Sequence, residues 1–165
     1  MKILGIDPGS TLMGYGLIDD TAGKLTKLAV GVLKIKEKDP TKKLFELSQG
    51  LNALLDKYRP ELVGLEKLYF SKNKKTALEV SQARGVIANT LLSRNLPILE
   101  YGPGQIKSAV AGYGSADKES VAKMVRYILN MPNEKLDDNA SDALAIAIAA
   151  AFGHASATRM SSQSS

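Results

Sequence analysis

The sequence contains no cysteine and no tryptophan, a single histidine, and only 5% aromatic residues in a chain of 165. Without cysteine there is no disulfide framework, no zinc finger and no thiol nucleophile, and the absence fits a reducing compartment. Long apolar runs are missing too. The longest, Ala143 to Gly153, spans 11 residues, where a membrane span needs about 20. The apolar N-terminus stops at Asp7-Pro8-Gly9, too early for a signal peptide. The expectation is a soluble, cytoplasmic protein with no membrane partner.

What is present is ordinary in proportion and basic in balance. Hydrophobic residues make up 44% and charged residues 24%, as in a globular protein rather than a disordered one. Lys plus Arg number 22 against 17 Asp plus Glu, a net charge of +5, which admits phosphate backbones as partners. The length predicts one domain plus a short tail.

Residues 2–7 read as a buried strand halted by Pro-Gly, and residues 14–19 and 25–35 as two more β segments around the turn Asp19–Gly23. Connections this short require antiparallel pairing. From Pro40 the period changes: Leu44, Leu47, Leu51, Leu54, Leu55 and Tyr58 trace a helical stripe ending before Pro60. A strand ending at Glu66, a helix over 76–94, a strand at 97–99 and helices at 105–111, 117–130 and 139–152 follow. Residues 1–155 are expected to form one α/β domain, with 156–165 a polar, disordered tail.

Three acids fall at the ends of core elements: Asp7 closes the first strand, Glu66 the fourth, and Asp142 lies early in the last helix. Strands disfavour carboxylates, and burying one is costly unless something positive compensates. If the elements are neighbours, the acids converge, and a hard divalent cation such as Mg²⁺ or Mn²⁺ is the natural counterion. The bland reading has Asp7 in a turn, Glu66 paired to a lysine and Asp142 at its helix's positive end. Spacing alone does not separate the two.

The strings Gly5-Ile6-Asp7-Pro8-Gly9, Gly64-Leu65-Glu66, Ser81-Gln82-Ala83-Arg84-Gly85, Gly114-Ser115-Ala116-Asp117-Lys118 and Ser141-Asp142-Ala143-Leu144-Ala145-Ile146-Ala147 together resemble RuvC-type Holliday junction resolvases. The resemblance runs in order from residue 1 to about 152. It implies an RNase H-like fold, with a five-stranded mixed sheet of three antiparallel strands and parallel additions, flanked by helices. It further implies a homodimer with two Mg²⁺ per subunit that nicks four-way junction DNA symmetrically, and a RuvA–RuvB-type branch-migration partner. Asp7, Glu66, Asn139 and Asp142 occupy the positions of the family's catalytic, metal-binding residues. The family usually places an acid, in some members a histidine, where this chain has Asn139. An amide offers a neutral oxygen and cannot act as a base, so Asn139 implies weakened metal binding, whether as a natural variant or a substitution. The alternative is a four-way junction-binding protein that does not cut. Asp138, four residues before Asp142, suits either the same helical face or an N-cap.

The resemblance also carries DNA-contact roles. Tyr69 and Phe70 run into the basic segment Lys72, Lys74 and Lys75, rings for unpaired bases beside cations for phosphates. Lys107 and Lys118 match lysines that the family uses on DNA. Lys34, Lys36, Lys38, Lys42 and Lys43 read as a solvated face, His154 as a surface residue at the tail, and the five methionines as core filler. Asp7-Pro8-Gly9-Ser10-Thr11 also suits the phosphate loop of an actin-like ATPase, but that fold pairs two such domains and the chain is long enough for one.

Overall fold

The computed structural model describes residues 1–67 and 74–162. Its strands are β1 (Lys2–Asp7), β2 (Leu12–Thr21), β3 (Lys24–Lys34), β4 (Leu62–Glu66) and β5 (Ile98–Tyr101). The helices are α1 (Pro40–Tyr58), α2 (Lys74–Ser93), α3 (Pro103–Ala111), α4 (Lys118–Ile128) and α5 (Asp138–Ser162). The sheet order is β3-β2-β1-β4-β5, with β1, β2 and β3 antiparallel and β4 and β5 added in parallel. This is the mixed RNase H-like sheet expected from the sequence.

Side chains alternate across a strand, and both faces of this sheet are covered. In β1, Ile3 packs toward α3, α4 and α5, whereas Leu4 and Ile6 pack toward α1 and α2. In β4, Leu62 joins the first cluster, and Val63 and Leu65 the second. Burial on both sides explains why β1 and β4 read as nearly continuous apolar runs. The same parity fixes where the two strand-end acids go. Asp7 follows Ile3 and Gly5, and Glu66 follows Leu62 and Gly64, so both fall on the α5 face.

Helix α5 lies against that face at backbone distance. A Cβ placed on Gly5 would stand 2.0 Å from the Ala143 carbonyl oxygen. The helix answers with small residues: Ala143, Ala145, Ala147, Ala149, Ala150 and Ala151 are all buried. Its length and composition would allow a membrane crossing, but most of it is packed inside the fold.

The polar tail is the main difference from expectation. Helix α5 continues through Ser162 rather than ending near 152. Alanines favour helix, and the hydroxyls of Ser156 and Thr158 bond back to the carbonyls of Phe152 and His154, at 2.9 and 3.0 Å. Of the methionines, Met13 and Met131 are core, while Met160 is 71% exposed.

Candidate active site

Strands β1 and β4 are parallel neighbours with Ile6 opposite Leu65. The next residue of each, Asp7 and Glu66, therefore stand level at the same end of the sheet, about 4.8 Å apart in backbone terms. The two carboxyl groups share a hydrogen bond. Burial and the nearby Asp142 charge push Asp7 up to about 6, with the Glu66 hydrogen bond and Lys118 opposing. Burial, then the charges of Asp7 and Asp142, push Glu66 up to about 7, and its bond to Asp7 adds to the rise.

Asp142 arrives on α5. Burial raises its pKa, against the opposing pull of Lys118. Lys118, the first residue of α4, places its Nζ 3.5 Å from Asp142 Oδ2 and 3.6 Å from Asp138 Oδ2. Asp138 is thus drawn to Lys118, and the N-cap alternative is corrected: Asp137 caps α5, its Oδ1 accepting from the Ala140 N–H at 2.8 Å. Asn139 lies over the β1–β2 pair. Gly14 is the register partner of Asp7, and a Cβ there would stand 2.6 Å from the Asn139 carbonyl oxygen and 3.3 Å from the Asp7 Cβ.

A cleft of about 180 Å³ opens beside these acids, lined by Glu66, Asp142, Lys107, Lys118, Pro103 and Ile106 among others. Lys107 and Lys118 thus converge on the same opening. Tyr69, Phe70 and Lys72 lie outside the described residues. Lys74 and Lys75 open α2, with their side chains outside the described set. His154 is exposed on α5.

Sequence reading gave no role to Arg84. Its Nε donates to the Glu66 carbonyl oxygen at 3.4 Å, and its Nη2 pairs with Glu100 on β5. The guanidinium therefore ties α2 to the ends of β4 and β5. Arg84 sits inside one of the quoted strings, so its position was visible; its partners required the β4–β5 register.

Among the described residues, no three acidic or imidazole groups stand together at ligating distance, and Asp142 pairs with Lys118. The donor chemistry nonetheless fits a hard divalent cation. Two half-buried carboxyls with raised pKa and a third acid nearby represent negative charge that the protein leaves incompletely neutralised. Oxygen-only ligands of this kind favour Mg²⁺ or Mn²⁺.

Comparison with known proteins agrees with this geometry. Residues 3–150 match the family described as Crossover junction endodeoxyribonuclease RuvC. The chain is 42% identical over 161 residues to the crossover junction endodeoxyribonuclease RuvC of Natranaerobius thermophilus, covering 97% of this chain and 100% of that one. It is 43% identical over 153 residues to the protein of the same name from Chloroflexus aurantiacus, covering 92% and 93% respectively. Thermus thermophilus RuvC in complex with Holliday junction substrate is similar in structure, with a TM-score of 0.88 at 34% identity over 96% of this chain and 97% of that one.

Proposed function

The chain belongs to the RuvC family of crossover junction endodeoxyribonucleases, and on that footing we propose that it resolves four-way DNA junctions by paired, symmetric, metal-dependent nicks. The observation that carries the proposal is the convergence of Asp7, Glu66 and Asp142, from β1, β4 and α5, beside a cleft lined by two lysines. Asp7, Glu66 and Asp142 would hold Mg²⁺, two ions per subunit, or Mn²⁺ in its place, with the amide oxygen of Asn139 as a neutral fourth donor. Bound there, the metal would lower the pKa of an attacking water and offset charge on the phosphodiester.

The chain's own groups do the rest. Lys107 and Lys118 hold the scissile strand's phosphates against the acids, and Lys118 trades its bond to Asp142 for one to phosphate. Arg84 fixes the main chain of Glu66. Tyr69 and Phe70 stack on bases at the crossover, with Lys72, Lys74 and Lys75 on the adjoining backbone. A homodimer presents two such sites to the two-fold of the junction, and a RuvA–RuvB-type motor supplies the junction. Hydrolysis leaves 5′-phosphate and 3′-hydroxyl ends that a ligase can rejoin.

A second reading rests on Asn139, which withholds a charge that an acid would supply: the chain binds junctions without cutting them. One experiment separates the two. Nicking of a labelled four-way junction in Mg²⁺ is compared between the wild type and Asn139→Asp, alongside a band shift in EDTA. Symmetric, ligatable nicks by the wild type support the resolvase. Cutting by Asn139→Asp alone supports the silent binder. Failure of both to prefer the junction over linear duplex would sink both readings.

A further inference from the structure

The five lysines between 34 and 43 read from sequence as a solvated face, yet the fold puts most of them at the functional end of the sheet. In the β2–β3 register Lys34 stands opposite Leu12, two residues along β2 from Gly14, the partner of Asp7. Two strand spacings and two residues of rise set Lys34 about 12 Å from Asp7. The segment beyond β3 is also held in shape. Ile35 is buried, and its N–H donates to the Thr11 carbonyl at 2.9 Å, so the chain is pinned between two exposed lysines, Lys34 and Lys36.

Two of the three local acids, Glu46 and Asp39, are committed to backbone, and the third, Glu37, is exposed and enters no ion pair among the described residues. Glu46 Oε2 accepts from the N–H groups of Lys36 and Glu37 at 3.0 and 2.8 Å. Asp39 caps α1, its Oδ1 accepting from Thr41 and Lys42 at 3.0 and 2.9 Å. Lys34, Lys36, Lys38 and Lys42 are exposed, and among the described residues none of them enters an ion pair. Ordered backbone thus presents four ammonium groups outside any ion pair, against the exposed carboxylate of Glu37, on the flank of the acid cluster opposite Lys107 and Lys118: the lysine segment follows β3, at one edge of the sheet, whereas the cleft lies on the Glu66 side.

We propose that Lys34, Lys36, Lys38 and Lys42 form a second DNA-contact surface, gripping the phosphate backbone of a junction arm beside the cut. This inference rests on the reading of the acid cluster as the cutting site. At 3.4 Å per nucleotide along one strand, 12 Å corresponds to about three to four nucleotides from the scissile phosphate. Phosphates at that remove carry no sequence information, so the surface sets affinity and the angle of the arm rather than the choice of site.

Junction binding is measured in EDTA across a range of salt for the wild type, for Lys34, Lys36 and Lys38 changed together to Gln, and for the same three changed to Arg. A control changes Lys2, Lys24 and Lys57 to Gln at the opposite end of the sheet. Thermal melting verifies that each variant is folded. The Gln triple is expected to make the slope of log affinity against log salt shallower by about two to three units, while the Arg triple and the control keep the wild-type slope. An unchanged slope in the Gln triple, with wild-type junction binding intact, overturns this surface and leaves the cutting site standing. An equal loss in the control overturns it as well, since net charge then explains the effect. A wild type that shows no preference for the junction overturns the functional reading and this surface together.

Discussion

The ammonium of Lys118 stands 3.5 Å from the carboxylate of Asp142, and so binds to α4 the one acid of the cluster that α5 supplies. Asp142 is the largest contributor to the raised pKa of Lys118, with Asp138 adding to it. A lysine at the first position of a helix opposes the helix dipole. Its two carboxylate partners, one turn apart on α5, offset that cost.

Replacing Lys118 with Met therefore acts in two directions. The negative potential at Asp142 rises, so half-saturation by Mg²⁺ is expected to move to lower concentration. Turnover is expected to fall by about 10²-fold, the scale of losing one electrostatic contact to a reacting group. Metal titration by calorimetry and single-turnover cleavage would read the two effects apart. A drop in turnover with weaker Mg²⁺ binding would contradict this account.

The metal-free protein should lose stability as pH rises. Asp7 and Glu66 have folded pKa values of about 6 and about 7, above their ordinary values of 3.8 and 4.5. Between those limits the native state holds more protons than the unfolded one, so stability falls with rising pH and levels off beyond about pH 7. Melting in EDTA from pH 5 to pH 8 should show a declining midpoint, and Mg²⁺ should restore it at pH 8. An upward trend in EDTA would show that the acids are not coupled as described.

Two glycines make a paired test of α5 packing. Gly5→Ala drives a methyl to 2.0 Å from the Ala143 carbonyl, and a backbone atom cannot yield as a side chain can. A loss of about 3 kcal/mol or more is expected. Gly85, inside α2, has open space around its Cβ direction, so Gly85→Ala should stabilise by about 0.5–1 kcal/mol. Urea midpoints of the two variants check the contrast.

How much of this was legible in the sequence follows from which interactions are local. The helix stripe of α1, its start at Pro40 and the strand-ending Pro-Gly after Asp7 are written in neighbouring residues, and the elements fall near their predicted bounds. Asp7 and Glu66 stood out because carboxylates are unusual at the end of apolar strands. The length of α5 was less visible, since serine and threonine read as tail until their back-bonding to carbonyls is known. Asp137 as the cap, rather than Asp138, depended on one residue of register. The Arg84–Glu66 contact and the position of Lys34 at the same end of the sheet as Asp7 belong to sheet order, which no local pattern encodes.

Arg84→Gln should raise the Mg²⁺ requirement for cleavage by about tenfold, as loss of a group supporting a ligand does, with Arg84→Lys intermediate because it keeps a charge for Glu100. The effect should appear as a shift in metal half-saturation, with junction binding in EDTA retained. Equal losses in both assays would mean that Arg84 meets DNA directly instead of holding the Glu66 main chain.

Helix α5 also sets an order in time. The ribosome releases β1 well before α5, yet the closest neighbours of Gly5 on β1 and Gly64 on β4 are residues of α5. A chain halted before Asp138 would lack the lid over one face of its sheet and the third acid of the cluster alike. Completion of this face of the core and assembly of the acid cluster thus fall in one stretch of translation.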